Sequence, residues 1–405
     1  MKALKIIAKI LLMVTGGILT LALTACIVFL AVFRHEISSV ASIEMLIDKN
    51  EKNRSAPVYY MEVSGGYYFD DFLEQGGASS DDELIKFVTD KLTKGLLPIT
   101  IEPSRFGCSA FTCTGEDGDK YFARNYDFTT TPGMIVRTNP GKGRYASISS
   151  VDLKFIGLKD GVNLDDITQK LICLAAPYVP VDGINEAGVA CGILVSYQGA
   201  GNECISTNQQ TDKPDITSST MIRMILDYAG SVEEAVALVE KYDLHDSANS
   251  SFHYIVADST GKSAILEWVY ATDETDTDGT KRELKVIYND DDAALGEAEA
   301  ADKFQYVTNF IACPGYYLEG DDVKSLDRYT TIRKRINGSG KNTEGIISEE
   351  NALKLMRRVG GRIWYGENSA ITVWSALYNL TDKSVIWVSN EEFDNEDAVF
   401  RFDFE

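Results

Sequence analysis

The sequence predicts an α+β layered domain behind one apolar N-terminal helix, and three observations carry that prediction. Strand-like runs recur in groups between residues 108 and 389. Helical patterns interrupt them at 164–175, 217–242 and 348–358. Residues 10–33, ILLMVTGGILTLALTACIVFLAVF, contain no charge at all. Strands in groups with helices in pairs fit two antiparallel sheets held between helices. No repeat of fixed period suggests a solenoid or propeller.

The uncharged run of residues 10–33 would reach roughly 36 Å as a helix, enough for a hydrocarbon core of about 30 Å. Lys2, Lys5 and Lys9 precede it, whereas its far flank is mixed (Arg34, His35, Glu36). That asymmetry keeps residues 1–9 in the cytoplasm and sends the rest outside, giving a single-pass protein of the cell membrane. LTAC, ending at Cys26, has the look of a lipoprotein box, but apolar sequence continues through Phe33. An uncleaved anchor is therefore expected rather than a signal peptide.

Beyond the anchor, residues 36–54 read as a short polar helix and a connector. Residues 67–96 read as a loop and a helix, with Ser79, Ser80 and Asp81 as caps and Leu84, Phe87, Val88 and Leu92 at helical spacing. Strands are expected at 108–114, 120–128, 144–156, 189–197, 252–258, 263–270, 283–288, 371–378 and 384–389, many joined by turns such as DSTGKS and NLTDKS.

Composition limits the chemistry. The chain has 405 residues, 44% of them hydrophobic, enough for a full core, and its net charge of −22 is spread along its length. Such a balance argues against nucleic acid and against docking on anionic lipid through a basic face. Seven cysteines show no CxxC pair, and the only histidines are His35, His245 and His253. Neither a disulfide framework nor a metal or other cofactor is expected. Asp276, Asp278 and Gly279 resemble the opening of an EF-hand loop, but Lys285 stands where its closing glutamate belongs. That stretch reads as a solvated loop.

One stretch stands out, FGCSAFTCTGEDGDKYFARNYDF at 106–128. SAFTCT alternates, EDGD offers an Asp-Gly turn, and KYFARNYDF returns, so the stretch reads as a hairpin. With Asp117 and Gly118 as a two-residue turn, Cys108 falls opposite Asp127, their Cβ atoms about 5 Å apart. Cys113 then faces the other way, opposite Phe122, as a small core residue. Arg124 points away from Asp127 in this register unless a bulge intervenes. A carboxylate alone would raise a neighbouring thiol's pKa. The pairing makes chemical sense if Cys108 carries a free α-amino group, held by Asp127 and acting as base. The plainer readings are a surface ion pair for Arg124 with Asp127 and a loop cap for Asn208.

CSAFTCTGEDGDKYFARNYD resembles the mature start of the choloylglycine hydrolase and linear amide C-N hydrolase family, with Cys108, Asp117, Gly118, Arg124, Asn125 and Asp127 matching without a gap. DGINEAGVACGILV resembles the family's Asn-Glu-x-Gly strand, and STN at 206–208 its Thr-Asn motif. FHYIVADSTGKSAILEW and ITVWSALYNLTDKSVIWV resemble later strands. The resemblance covers 108–405 and implies the four-layer αββα sandwich of N-terminal nucleophile hydrolases.

It also implies a mechanism without cofactor or metal. Cys108 would attack a linear N-acyl amide, passing through a thioester, with its own α-amine moving the proton. The Asn208 side chain and the Val195 backbone amide would stabilise the oxyanion, and Val195 stands where relatives carry Asn or Tyr. Arg124 would favour thiolate, Asp127 would orient the amine, and Arg223 matches the family's second functional arginine. An amine at Cys108 requires cleavage of the Gly107–Cys108 bond, making residues 34–107 a leader and 108–405 the hydrolase domain. The leader contains no cysteine, so only packing could keep the two pieces together. The expected partners are a small N-acyl amide and the membrane. The competing readings are an acyltransferase on the same scaffold and a surface binding protein without catalysis.

Overall fold

The computed structural model describes residues 2–50, 55–95, 100, 107–141, 143–158, 161–198, 203–206, 208–247, 250–270, 281–289, 304–313, 316–317, 320–336, 345–361 and 371–404. The strands are β1 (Glu44–Ile47), β2 (Val58–Ser64), β3 (Gly107–Thr114), β4 (Lys120–Phe128), β5 (Gly133–Asn139), β6 (Ser147–Asp152), β7 (Pro180–Asn185), β8 (Ala190–Val195), β9 (Asp215–Thr217), β10 (Asp243–His245), β11 (Phe252–Ala257), β12 (Ser263–Tyr270), β13 (Arg282–Tyr288), β14 (Tyr306–Val307), β15 (Ile371–Asn379), β16 (Ser384–Ser389) and β17 (Val399–Phe402). The helices are α1 (Lys2–Val32), α2 (Arg34–Ala41), α3 (Phe69–Glu74), α4 (Asp81–Leu92), α5 (Ile167–Ile172), α6 (Ser218–Tyr228), α7 (Val232–Val239), α8 (Leu326–Ile336) and α9 (Glu349–Arg358).

The fold is mixed α and β. The two large sheets run β1-β2-β5-β6-β7-β8-β11-β12-β13 and β14-β3-β4-β15-β16-β17, and β9 with β10 forms a third, two-stranded one. The facing surfaces of the large sheets share one core, to which Phe122, Tyr126, Trp374 and Trp387 come from the second sheet and Ile135 and Ile184 from the first. Buried tryptophans at such a junction need partners for their N–H groups. Trp374 donates to Asp182 (3.1 Å) and Trp387 to Ser150 (3.1 Å), both across the sheets. On the outer face of the second large sheet, Phe111, Cys113, Tyr121 and Ala123 pack with Ile332 and Ile336 of α8 and Leu355 and Met356 of α9. Helix α6 covers β7 and β8 on the outer face of the larger one.

Helix α4 follows its local signals. The Ser80 hydroxyl accepts from the Glu83 N–H (3.3 Å), acidic residues fill the first turn, and Leu84, Phe87, Val88 and Leu92 are buried. The expected helix at 217–242 is two helices, broken at Gly230, where any side chain would come within 2.7 Å of the Tyr145 hydroxyl. The Asp276–Gly279 loop lies outside the described residues. In α1, Lys5–Val32 is long and apolar enough to cross a membrane, a test that a signal sequence also passes.

The stretch read as leader is built into the domain. β2 runs parallel to β5 from Val58↔Gly133 to Ser64↔Asn139, and β1 extends the same sheet. The Tyr67 hydroxyl donates to Asp227 Oδ1 (2.7 Å) and the Tyr228 hydroxyl donates to Asp70, while Arg144 lies within 3.5 Å of both Asp70 and Asp227. Alternation in VYYMEVS was the available signal for β2. Its partner lies 75 residues along the chain, so local sequence could not place it in a sheet.

The hairpin register also differs from expectation. Cys108 pairs with Tyr126, Gly107 with Asp127 and Cys113 with Tyr121. The connection is wider than a two-residue turn: Gly115 N–H donates to the Asp119 carbonyl (2.7 Å), and the Asp117 carboxylate accepts from the Asp119 N–H (3.1 Å). Gly118 adopts φ +97°, which suits a residue without a Cβ. This one-residue slip moves Asp127 off the face of Cys108 and puts Arg124 on it.

Candidate active site

Cys108 opens β3 on its inner face and is wholly buried. Its N–H donates to Asn309 Oδ1 (2.9 Å), and its sulfur lies 3.9 Å from the Ile193 carbonyl oxygen of β8. Arg124 reaches the same carbonyl through Nη2, donates through Nη1 to the Asn125 carbonyl (3.2 Å), and holds Nε 3.6 Å from Asp182 Oδ2. Gly192 makes that reach possible, because a Cβ there would lie 3.3 Å from Arg124 Cδ and Nε. Burial pushes the Cys108 thiol up to about 12; Arg124 pulls against that rise and Asp127 adds to it. The sulfur therefore sits in a dry site with the Arg124 cation beside it, where entry of water would lower its pKa.

Behind Cys108 runs a chain of buried polar groups. Asp127 accepts from the Thr372 hydroxyl (2.6 Å) and pairs with Arg328 of α8. Arg328 Nη2 in turn donates to Asn309 Oδ1 (2.8 Å) and to Ser325 Oγ (2.6 Å). Asn309 Nδ2 donates to the Val195 carbonyl (2.8 Å). A bulge in β15 between Thr372 and Trp374 aligns Thr372 with Asp127.

The segment carrying Asn309 is fixed by a second buried pair. His253 bonds Glu267 Oε1 through Nδ1 (2.8 Å) and the Thr308 carbonyl through Nε2 (2.7 Å). Glu267 also accepts from the backbone N–H groups of Ala312 and Cys313, each at 2.7 Å. A carbonyl can only accept, so Nε2 carries a proton and one further proton lies between Nδ1 and the carboxylate. Both sides of Asn309 are thus held.

The other expected residues lie in different settings. Asn208 is exposed, and its Oδ1 accepts from the Asp246 N–H at 2.5 Å, which is the loop cap that its sequence also allowed. Arg223 is buried in α6, where it donates to Ser147 Oγ (2.6 Å) and pairs with Asp227 (2.9 Å), four residues on. It therefore joins the cluster that receives Tyr67. Val195 is buried at the end of β8 and touches the site through its carbonyl and Asn309. Cys113 lies on the outer face, its thiol pushed up to about 12 by burial alone. A cavity of about 640 Å³ lies where Phe33, Ile37 and Val40 meet Leu171 and Leu174, away from Cys108.

Reading the sequence missed Asn309, Arg328, Asp182 and Thr372. Thr308-Asn309 is a second Thr-Asn pair, a polar break in the apolar run QYVTNFIA; a buried amide of that kind needs partners. Arg328 sits in the basic run DRYTTIRKR, which reads as a solvated face. Asp182 and Thr372 carry no local signal.

Residues 108–272 match the model of the linear amide C-N hydrolases, choloylglycine hydrolase family, and the match begins at Cys108. Over that stretch the chain is similar to this family. That match supports a linear amide C-N hydrolase. Among solved structures, conjugated bile acid hydrolase from Clostridium perfringens, as a variant, is 17% identical, covering 73% of this chain and 92% of its own at a TM-score of 0.45. Penicillin V acylase from Agrobacterium tumefaciens is 17% identical over 73% and 86%, with a TM-score of 0.43. The N-acylethanolamine-hydrolyzing acid amidase ortholog of Caenorhabditis elegans is 14% identical over 68% and 93%, at 0.35. No curated protein matches the chain.

Proposed function

We propose that the protein is a membrane-anchored cysteine hydrolase of the N-terminal nucleophile kind, with an αββα sandwich outside the cytoplasm, that cleaves linear N-acyl amides after scission of Gly107–Cys108. The observation that carries this reading is the contact of the Cys108 nitrogen with Asn309 Oδ1, at the end of the buried chain Asp127–Arg328–Asn309. A structural cysteine has no use for such a chain behind its main-chain nitrogen. Once cleaved, that nitrogen is an α-amine, and Asn309 with Asp127 would hold it beside its own sulfur.

Gly107 fits the processing step: a side chain there would lie 3.3 Å from Asp127 Cβ, so the peptide to be cut runs directly over this carboxylate. The Cys108 sulfur attacks the substrate carbonyl, the α-amine takes the thiol proton and returns it to the leaving amine, and water then hydrolyses the thioester. Arg124 would stabilise thiolate. Asn309, in place of Asn208, would serve the oxyanion through Nδ2, together with the Val195 backbone amide, each donor worth about 3 kcal/mol. The leader would remain bound after cleavage through β1 and β2, so the cut enzyme stays on its anchor.

The test is intact-mass measurement of purified protein, followed by a panel of N-acyl amides given to wild type and Cys108→Ser. Two pieces separated at Gly107–Cys108 that copurify, with activity only in the cleaved protein, are the expected result. A single uncut chain with full amidase activity would overturn the amine-base mechanism.

A further inference from the structure

Asp215, Asp243 and His245 form a cluster on the small sheet of β9 and β10, and none of them is among the residues described around Cys108. The two strands are parallel, Asp215 is directly paired with Asp243, and His245 lies two residues along from Asp243 on the same face. His245 Nε2 is 2.9 Å from Asp215 Oδ1 and 3.7 Å from Asp243 Oδ1, and the three ligand atoms all lie within 4.8 Å of one another.

The decisive atom is Asp243 Oδ1. Asp243 is buried, with only 1% of its surface exposed. Its Oδ2 is held by the backbone N–H and the hydroxyl of Thr211, the latter at 2.9 Å. Its Oδ1 receives no hydrogen bond and points toward His245, beyond hydrogen-bond reach. A buried carboxylate oxygen left in that state is costly.

We propose that Asp215, Asp243 and His245 bind a divalent zinc-like cation. Zinc takes imidazole nitrogen and carboxylate oxygen at about 2.0–2.2 Å, so neighbouring ligand atoms in a tetrahedral set stand about 3.3–3.6 Å apart. The spacings of 2.9 and 3.7 Å bracket that range. Two carboxylates with a neutral imidazole supply the charge that balances a dication. Asp215 and His245 are partly exposed (side chains 36% and 19%), which leaves a path for the ion and a fourth position for water. On binding, Nε2 gives up any proton it shares with Asp215, and that proton goes to solvent. The ion would pin β9 to β10 where this small sheet meets the leader: the Asp215 N–H donates to the Gly76 carbonyl (2.9 Å). Three histidines in the chain had made metal binding look improbable, but only one is needed here.

The full chain in detergent, stripped with a chelator, would be titrated with ZnCl2 alongside His245→Gln and Asp243→Asn. Wild type is expected to bind one more equivalent than either variant, and its melting temperature to rise with zinc and fall back with chelator. Affinity in the variants should drop by more than the roughly 10–100-fold typical of losing an outer partner. Equal zinc binding in wild type and His245→Gln, or no saturable binding, would overturn the site in favour of a plain imidazolium–carboxylate cluster. Binding of calcium in preference to zinc would overturn the role of the imidazole. If Asp243→Asn does not fold, the more exposed His245 carries the comparison alone.

Discussion

Cys108 and Cys113 lie on one strand, five residues apart, both buried and both with thiols pushed up to about 12. What separates them is the face of β3 on which each sits. Cys113 looks outward into Ile332, Ile336 and Leu355, and burial is the whole cause of its shift. Cys108 looks inward, where Arg124, the Ile193 carbonyl and Asn309 surround its sulfur and nitrogen. Burial alone therefore makes an inert thiol, and the polar groups arranged around one of the two make a candidate nucleophile.

The largest effect should come from removing the sulfur itself. Cys108→Ala is expected to lower kcat/KM on an N-acyl amide by on the order of 10^4-fold or more, as removal of a nucleophile does. Cys113→Ala should leave activity near wild type and cost about 1 kcal/mol of stability through a small cavity. Equal loss in both variants would erase the distinction. Steady-state kinetics with a denaturation curve for each variant provide the measurement.

A second test sharpens the contrast between two Thr-Asn pairs. Asn309→Ala is expected to lower kcat by about 10^2–10^3-fold, the range for one oxyanion donor. Asn208→Ala, which removes a cap on Asp246, should change kcat little. The reverse order would return the oxyanion role to the exposed loop.

The smallest effect concerns Tyr126, the cross-strand neighbour of Cys108, whose hydroxyl donates to Asp152 Oδ2 (2.8 Å). Burial raises the Asp152 carboxyl from its ordinary 3.8 to about 6, despite hydrogen bonds from Thr131, Lys154 and Tyr126. A raised folded-state pKa means that the protonated form is favoured by folding. Its stability contribution is complete below about pH 3.8 and is lost as pH rises through about 6. Relative to Asp152→Asn, wild type should therefore lose about 2 kcal/mol between pH 4 and pH 7. Parallel urea curves across that range, with no change in the gap between the two proteins, would contradict it.

Much of this was legible locally. The alternation of SAFTCT and KYFARNYDF marked the hairpin, and the caps and spacing around Ser80 gave α4. Cys113 was correctly sent to the face opposite Cys108, because alternation along a single strand does not depend on register. Register itself was not legible: Asp-Gly suggests a two-residue turn, but the side chain of Asp117 and a left-handed Gly118 close a longer loop. The slip of one residue changed which charged group shares the face of Cys108.

By itself the sequence determined the apolar helix, the two-sided hairpin, the alternation that separates the cysteines, and the residues that match the hydrolase family from Cys108 onward. Only the tertiary structure decided which asparagine and which second arginine stand behind Cys108, and that residues 58–64 complete the larger sheet. The physical reason is the same in each case. Asn309 and Arg328 lie 201 and 220 residues from Cys108, as β2 lies far from β5, and contacts over such separations follow from how layers stack rather than from any local pattern.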